Sequence, residues 1–146
     1  MRVVITGHDD EGRSRVQSDD EVADRGMLRV FATGNDPDDI GPARADAHID
    51  SVPPHGSAAW LFVDISPDAV LRDALRTPPA GIDADGWHAT PTVDYVLVLS
   101  GSVVLALDTA EVALEAGDCV VQRGTRHAWR NRTDTPARLA CVMIRP

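Results

Sequence analysis

Four short apolar runs, Val96 to Leu99, Val103 to Leu107, Val112 to Leu114 and Cys119 to Val121, are separated by Gly101-Ser102, Asp108-Thr109 and Ala116-Gly117-Asp118. Apolar runs of this length punctuated by turn-forming residues predict consecutive antiparallel strands. Ala58 to Ile65, with Trp60 and Phe62 on one face and Leu61 and Val63 on the other, adds a strand before them, and Leu139 to Ile144 closes the sheet. The fold class is therefore all-β, an antiparallel sandwich or barrel. One stretch breaks the pattern. Ser66-Pro67-Asp68 is a helix start, with Ser66 as N-cap and Pro67 at the first helical position, followed by Ala69, Val70, Leu71, Ala74 and Leu75 at helical spacing. Thr77-Pro78-Pro79 ends this short helix, which is expected to border the mouth of a pocket.

At 146 residues the chain is one domain with room for one core. It divides into an N-terminal arm with outer strands over 1–57 and a core barrel over 58–146. Residues 2 to 6 and 27 to 32 read as strands; the acidic stretch His8 to Asp24 between them reads as a solvated turn or loop, and Asn35-Asp36-Pro37-Asp38-Asp39 as another loop. No internal repeat is evident.

Charge narrows the partners. The net charge is −9, with 19 Asp against 4 Glu, and all 14 basic residues are Arg. Without a lysine the chain has no Schiff-base chemistry. The acidic balance argues against nucleic acid and anionic membranes as partners. There is no run of eighteen apolar residues and no apolar signal core, so a soluble, cytoplasmic protein is expected. Cys119 and Cys141 lie in strand-like runs and read as reduced core thiols.

The chemistry concentrates in two stretches. If residues 88 to 94 run extended, His88, Thr90, Thr92 and Asp94 share one face and Trp87, Ala89, Val93 and Tyr95 the other. An extended run over 127 to 131 puts His127, Trp129 and Asn131 on a shared face. Should both faces look into one barrel, His88, Asp94 and His127 meet there. Imidazole with carboxylate suits a divalent transition metal, and two histidines with one carboxylate leave positions open for substrate.

These stretches resemble the paired motifs of the cupin superfamily, small antiparallel jelly-roll barrels. His88 matches the first histidine of the first motif, Thr90 stands where a second histidine is usual, Asp94 falls on the glutamate, and Gly101 follows after six more residues. In the second motif Gln122 occupies the proline position, and Gly124, His127 and Asn131 match; Gly117-Asp118 is similar to its opening turn. The wording from Trp87 to Asn131, and the opening Arg2 to Asp9, is similar to a group of single-domain cupins. The resemblance implies a cupin barrel with one short helix and an N-terminal arm, and a homodimer paired through sheet edges and arms. It implies no single activity, because cupins host many.

The departures leave two readings open. Either His88, Asp94 and His127 hold a metal, with Fe, Mn, Ni or Zn all suited to such ligands, or the pocket has lost metal and uses the same three groups as acid and base. No organic cofactor is expected. Candidate substrate-binding residues are Thr90, Tyr95, Gln122, Arg123, Trp129 and Trp60. Arg123 and Arg126 flank one turn, where a bidentate fork for a carboxylate competes with surface ion pairing. Asn131 and the glycines read as turn-forming, and His8, His48 and His55 as surface residues. A desolvated interior raises a carboxylate pKa and lowers that of histidine, which suits proton transfer on a small carbonyl or carboxylate compound, with lyase, isomerase or cyclase outcomes. The alternatives are a non-haem Fe(II) oxygenase, from the composition of the three candidate ligands, and a non-catalytic small-molecule binder, from the missing second histidine.

Overall fold

The computed structural model describes residues 2–21, 26–32 and 52–146. Among them, ten strands and one helix follow in the order β1 (Arg2–His8), β2 (Ser14–Glu21), β3 (Met27–Ala32), β4 (Ser57–Ile65), α1 (Asp68–Ala74), β5 (Val93–Ser100), β6 (Ser102–Leu107), β7 (Glu111–Glu115), β8 (Cys119–Arg123), β9 (His127–Arg130) and β10 (Ala137–Arg145). All pairings are antiparallel. A five-stranded sheet runs β3-β4-β10-β5-β8, a three-stranded sheet runs β7-β6-β9, and β1-β2 stand as a separate hairpin.

The two larger sheets pack through alternate side chains. Along β5, Asp94, Val96 and Val98 are buried while Tyr95, Leu97 and Leu99 are exposed, the period-2 pattern of a strand with one covered face. Val96, Val98, Ile65 and Leu139 from the larger sheet meet Val103, Leu105 and Leu114 from the smaller one in a single core cluster. Each such side chain contributes roughly 1.5–3 kcal/mol by leaving water. Gly101 makes the tight turn into β6 at φ +75°, where a Cβ would stand 2.9 Å from the Cα of Ala137. Only glycine fits that backbone without displacing β10.

Three local expectations change. The stretch assigned to a loop between His8 and Asp24 contains β2, which pairs with β1 along its length. Its residues are almost all exposed, so no buried face imposes the apolar alternation that would have announced a strand. Asp9 closes the turn, its Oδ1 accepting the backbone N–H of Glu11 at 3.1 Å and of Arg13 at 2.8 Å. The helix caps on Pro67, not Ser66, without a side-chain cap. Its first residue is held by tertiary contacts instead: Asp68 N–H donates to the Asn131 carbonyl (2.8 Å), and Asp68 Oδ1 accepts from Asn131 N–H (2.7 Å). Cys119 is exposed, because on β8 it is Val120 and Gln122 that turn inward. Cys141 is half-buried, and both cysteines are free thiols. The Asn35 to Asp39 loop and His48 lie outside the described residues.

Candidate functional site

His88 is positioned from its own side of the chain. Asp83 Oδ1 accepts the N–H groups of Asp85 (3.0 Å) and Trp87 (2.9 Å), and Gly86 N–H closes back on the Asp83 carbonyl at 2.9 Å. Donation from Trp87 first, then Asp85 and Arg126, holds the Asp83 carboxyl below its ordinary value. The turn delivers His88 against His127, and the two residues exchange both backbone hydrogen bonds at 2.9 Å. The extended run expected from 88 onward is thus limited to isolated bridges at His88, with strand pairing starting at Val93.

The imidazoles lie with centroids 4.3 Å apart and planes at 54°, and Trp129 meets His127 edge-on at 6.0 Å and 84°. His88 Nδ1 is 3.0 Å from the Gly86 carbonyl, and His127 Nδ1 is 3.0 Å from the Thr125 carbonyl. A carbonyl oxygen only accepts, so each Nδ1 carries the ring proton and each Nε2 keeps its lone pair. Burial, chiefly, and the neighbouring His88 hold His127 below the usual imidazole pKa, against the opposing bond to Thr125.

Both histidines, Thr90, Asp94, Gln122 and Trp129 line one cavity of about 910 Å³. The two imidazoles and the carboxylate far apart in the chain are brought to one interior. Asp94 is 6% exposed, and its Oδ1 has no hydrogen-bond partner. Desolvation raises its pKa above the ordinary value, with a bond from the Thr92 hydroxyl and the charge of His88 pulling the other way. Gln122 stands opposite Asp94 across β5 and β8, and its Nε2 donates to the Thr125 carbonyl (3.1 Å) and to the Thr125 hydroxyl.

The remaining candidates do not reach this interior. Trp60, Tyr95 and Arg123 stand on the outward face of the five-stranded sheet, where alternation places them once Leu61, Asp94 and Gln122 turn inward. Trp60 is 44% and Tyr95 53% exposed, and Trp60 packs on Phe62 at 5.6 Å. Arg126 bridges Asp108 (2.9 Å) and Asp83 (3.4 Å) and lies 4.3 Å over the Trp87 ring, so its guanidinium is committed outside the cavity. His8 and His55 are exposed. Asn131 is fully buried and structural, donating to the carbonyls of Ile65 and Thr135, both at 2.8 Å.

Sequence reasoning missed Thr92, Cys141, Met143 and the far wall. Thr92 accepts or donates at 2.7 Å to Thr90 and also bonds Asp94. Alternation had put Thr92 on the Asp94 face, and its partner was the missing signal. Met143 pairs with Asp94 in register, which only the strand order reveals. The Cys141 thiol is pushed up to about 12 by burial and by Asp94, and stays protonated. Leu71 and Leu75 bring α1 to the cavity, as its expected place at the mouth required.

A metal tests differently by kind and by spacing. Two free imidazole nitrogens and an orphaned carboxylate oxygen are suitable donors. Yet among the described residues no group of three or more His, Cys, Asp or Glu is close enough to hold an ion. The geometry does not fit a resident metal. No helix among the described residues is long and apolar enough to cross a membrane.

A family model described as a cupin domain matches residues 75–143. A phomopsin biosynthesis cluster protein of Diaporthe leptostromiformis is 51% identical over 85 residues, covering 47% of this chain and 45% of that protein. A cupin-domain-containing oxidoreductase of Aspergillus ruber is 27% identical over 157 residues, covering 96% of this chain and 70% of that one. The chain spans less than half the length of the biosynthesis-cluster relatives it matches. A solved cupin-2 domain protein of Shewanella frigidimarina aligns at 16% identity with a TM-score of 0.43, over 68% of this chain and 76% of that chain. The matched segment carries both histidines, Asp94 and the strands that hold them, and residues 75–143 form a small cupin domain.

Proposed function

We propose that the protein is an enzyme that moves protons on a small, enolisable carbonyl compound bound in the cavity, with Asp94 and the His88–His127 pair as the acid–base groups. The observation that carries this reading is the Asp94 carboxylate, buried, with its Oδ1 unpartnered, lining a cavity shared with two imidazoles whose Nδ1 protons are given to backbone carbonyls. Burial raises the Asp94 carboxyl and lowers the His127 imidazole, so their proton affinities move toward each other, which suits one group taking a proton from a substrate and the other returning one. Such exchange is the common first step of lyase, isomerase and cyclase reactions. The linked Thr90 and Thr92 hydroxyls stand beside the carboxylate, and Thr92 favours its charged form. The relatives named for biosynthesis clusters support a small-molecule substrate.

The test is deuterium exchange. Chelator-treated protein in D2O with 2-tetralone, a neutral enolisable ketone, is followed by NMR at the carbon beside the carbonyl. Wild-type protein is expected to accelerate exchange over buffer, and Asp94→Asn to lose that acceleration by about 10²–10⁴-fold. No acceleration by the wild type, or full acceleration by the variant, sinks the reading. A second reading, an oxidoreductase, is favoured by the name of the Aspergillus ruber relative and by the kind of donors present. Stoichiometric iron in chelator-free protein, with oxygen uptake, would select it. Unaltered ligand affinity in His88→Ala and His127→Ala, with turnover absent from all forms, would select a non-catalytic binder.

A further inference from the structure

The polar wall of the cavity has spent its donors. Each histidine gives its Nδ1 proton to a backbone carbonyl, at Gly86 and Thr125. Gln122 gives its amide protons to Thr125, which leaves Oε1 as its remaining group. The Thr90 and Thr92 hydroxyls are engaged with each other at 2.7 Å and, from Thr92, with the Asp94 carboxylate. Asp94 Oδ1 accepts nothing. The residues that line the cavity therefore offer it two imidazole nitrogens, the Gln122 amide oxygen and the Asp94 carboxylate as acceptors. The rest of the lining is largely hydrocarbon, with Leu61, Val63, Leu71, Leu75, Leu139 and Met143.

We infer that the cavity takes a neutral, largely apolar molecule that presents at least two hydroxyl donors of phenol or enol type to this wall. A buried acceptor left without a donor is unfavourable, so a ligand that supplies hydrogens gains where one that supplies only acceptors loses. An anion is disfavoured because it would lie beside Asp94 in a low-dielectric interior. A simple cation would surrender its hydration to a mostly hydrocarbon wall. Phenolic and enolic hydroxyls are acidic enough to make strong bonds to carboxylate and imidazole while the rest of the molecule stays apolar. At about 910 Å³ the cavity has the size of pockets that enclose drug-sized organic ligands. The inference rests on the proton-transfer reading, because an enol is the tautomer of the enolisable carbonyl compound that reading proposes.

The test needs no turnover. Calorimetric titration of the full chain, chelator-treated and with EDTA present, compares 4-hexylresorcinol with its dimethyl ether and with 4-hexylbenzoate. The diphenol is expected to bind about tenfold or more tightly than the ether, the worth of one or two hydrogen bonds, and the benzoate more weakly than either. Equal binding of diphenol and ether, tighter binding of benzoate, or no diphenol binding below about 1 mM overturns it. Diphenol binding that emerges only when zinc replaces EDTA overturns it as well, since the metal would then occupy the acceptors. If this preference fails while Asp94→Asn still abolishes ketone exchange, the substrate class falls and the proton-transfer reading stands. If the preference holds without any exchange, the reverse is true.

Discussion

Two adjacent rows across the five-stranded sheet point in opposite directions. Trp60, Val142, Tyr95 and Val121 stand abreast on the outward face, and Ala59, Met143, Asp94 and Gln122 stand abreast on the inward one. By polarity alone the assignment would be reversed, because the outward row has no ionisable group except the Tyr95 phenol and the inward row has a carboxylate and an amide. Exposed apolar side chains are ordinary; a buried carboxylate is not, and it is the feature that locates chemistry. The difference teaches that on this sheet the site is marked by what the core tolerates, and not by where the aromatics lie.

The largest effect that separates the rows is catalytic. In the ketone-exchange assay, His127→Ala, like Asp94→Asn, is expected to slow the reaction by about 10²–10⁴-fold, while Trp60→Ala, Tyr95→Ala and Arg123→Ala change it less than about twofold. A loss at Tyr95 matching that at His127 would break the comparison. Next comes the buried knot at Asn131, whose side chain also accepts from Thr133 N–H (3.0 Å) and the Thr133 hydroxyl (2.6 Å). Removing it in Asn131→Ala takes the amide donor from the Ile65 and Thr135 carbonyls, the latter keeping the Thr133 hydroxyl at 2.9 Å, and should cost about 3 kcal/mol in urea denaturation. A smaller contrast lies within one strand. Val98→Ala, at 1% exposure, should cost about 2 kcal/mol, and Leu97→Ala, at 37%, less than about 1 kcal/mol. Equal midpoint shifts for those neighbours would mean that the outward face is covered in solution.

The rows also explain what was legible in the sequence. Apolar runs bounded by turn-forming residues mark β4, β5 and β10, which lie near their expected places. β2 has no such mark, because neither of its faces is covered and its pairing is a backbone property. His88 and His127 were legible as a pair because each sits beside a turn with marked spacing, and Asp94 because it shares a parity with His88. Tyr95 and Trp60 were misplaced for the same reason in reverse. Tyr95 was chosen for adjacency to Asp94, although the residue next to an inward one on a strand points outward. Trp60 was chosen for its aromatic ring, although Leu61 is the β4 residue that turns in. Arg123 lost to the same parity, with Gln122 inward. What the sequence could not supply was cross-strand register: Met143 beside Asp94, and Gln122 opposite it, depend on β10 and β8 flanking β5.

The smallest expected effect is the most diagnostic of the inward row. Desolvation makes the Asp94 carboxyl harder to ionise in the folded protein than in the unfolded chain, whose value is the ordinary one near 3.8. Below that value both states hold the proton and nothing is lost. As pH rises through the ordinary value and on through the raised folded one, the unfolded chain releases its proton first, so the stability that the neutral acid contributed is lost. Asparagine has no proton to lose. Asp94→Asn should therefore match wild type at pH 3 to 3.5 and exceed it at pH 7 by about 1 kcal/mol, the scale of one buried, unpaired oxygen. Paired urea titrations across that range measure the gap directly. An opposite sign, with wild type gaining on the variant as pH rises, would mean that a positive charge meets the carboxylate in solution, either a protonated His88 or a bound cation. Repeating the titrations with His88→Ala, with and without chelator, then decides which, and a gap that closes only with chelator would return the metal to the site.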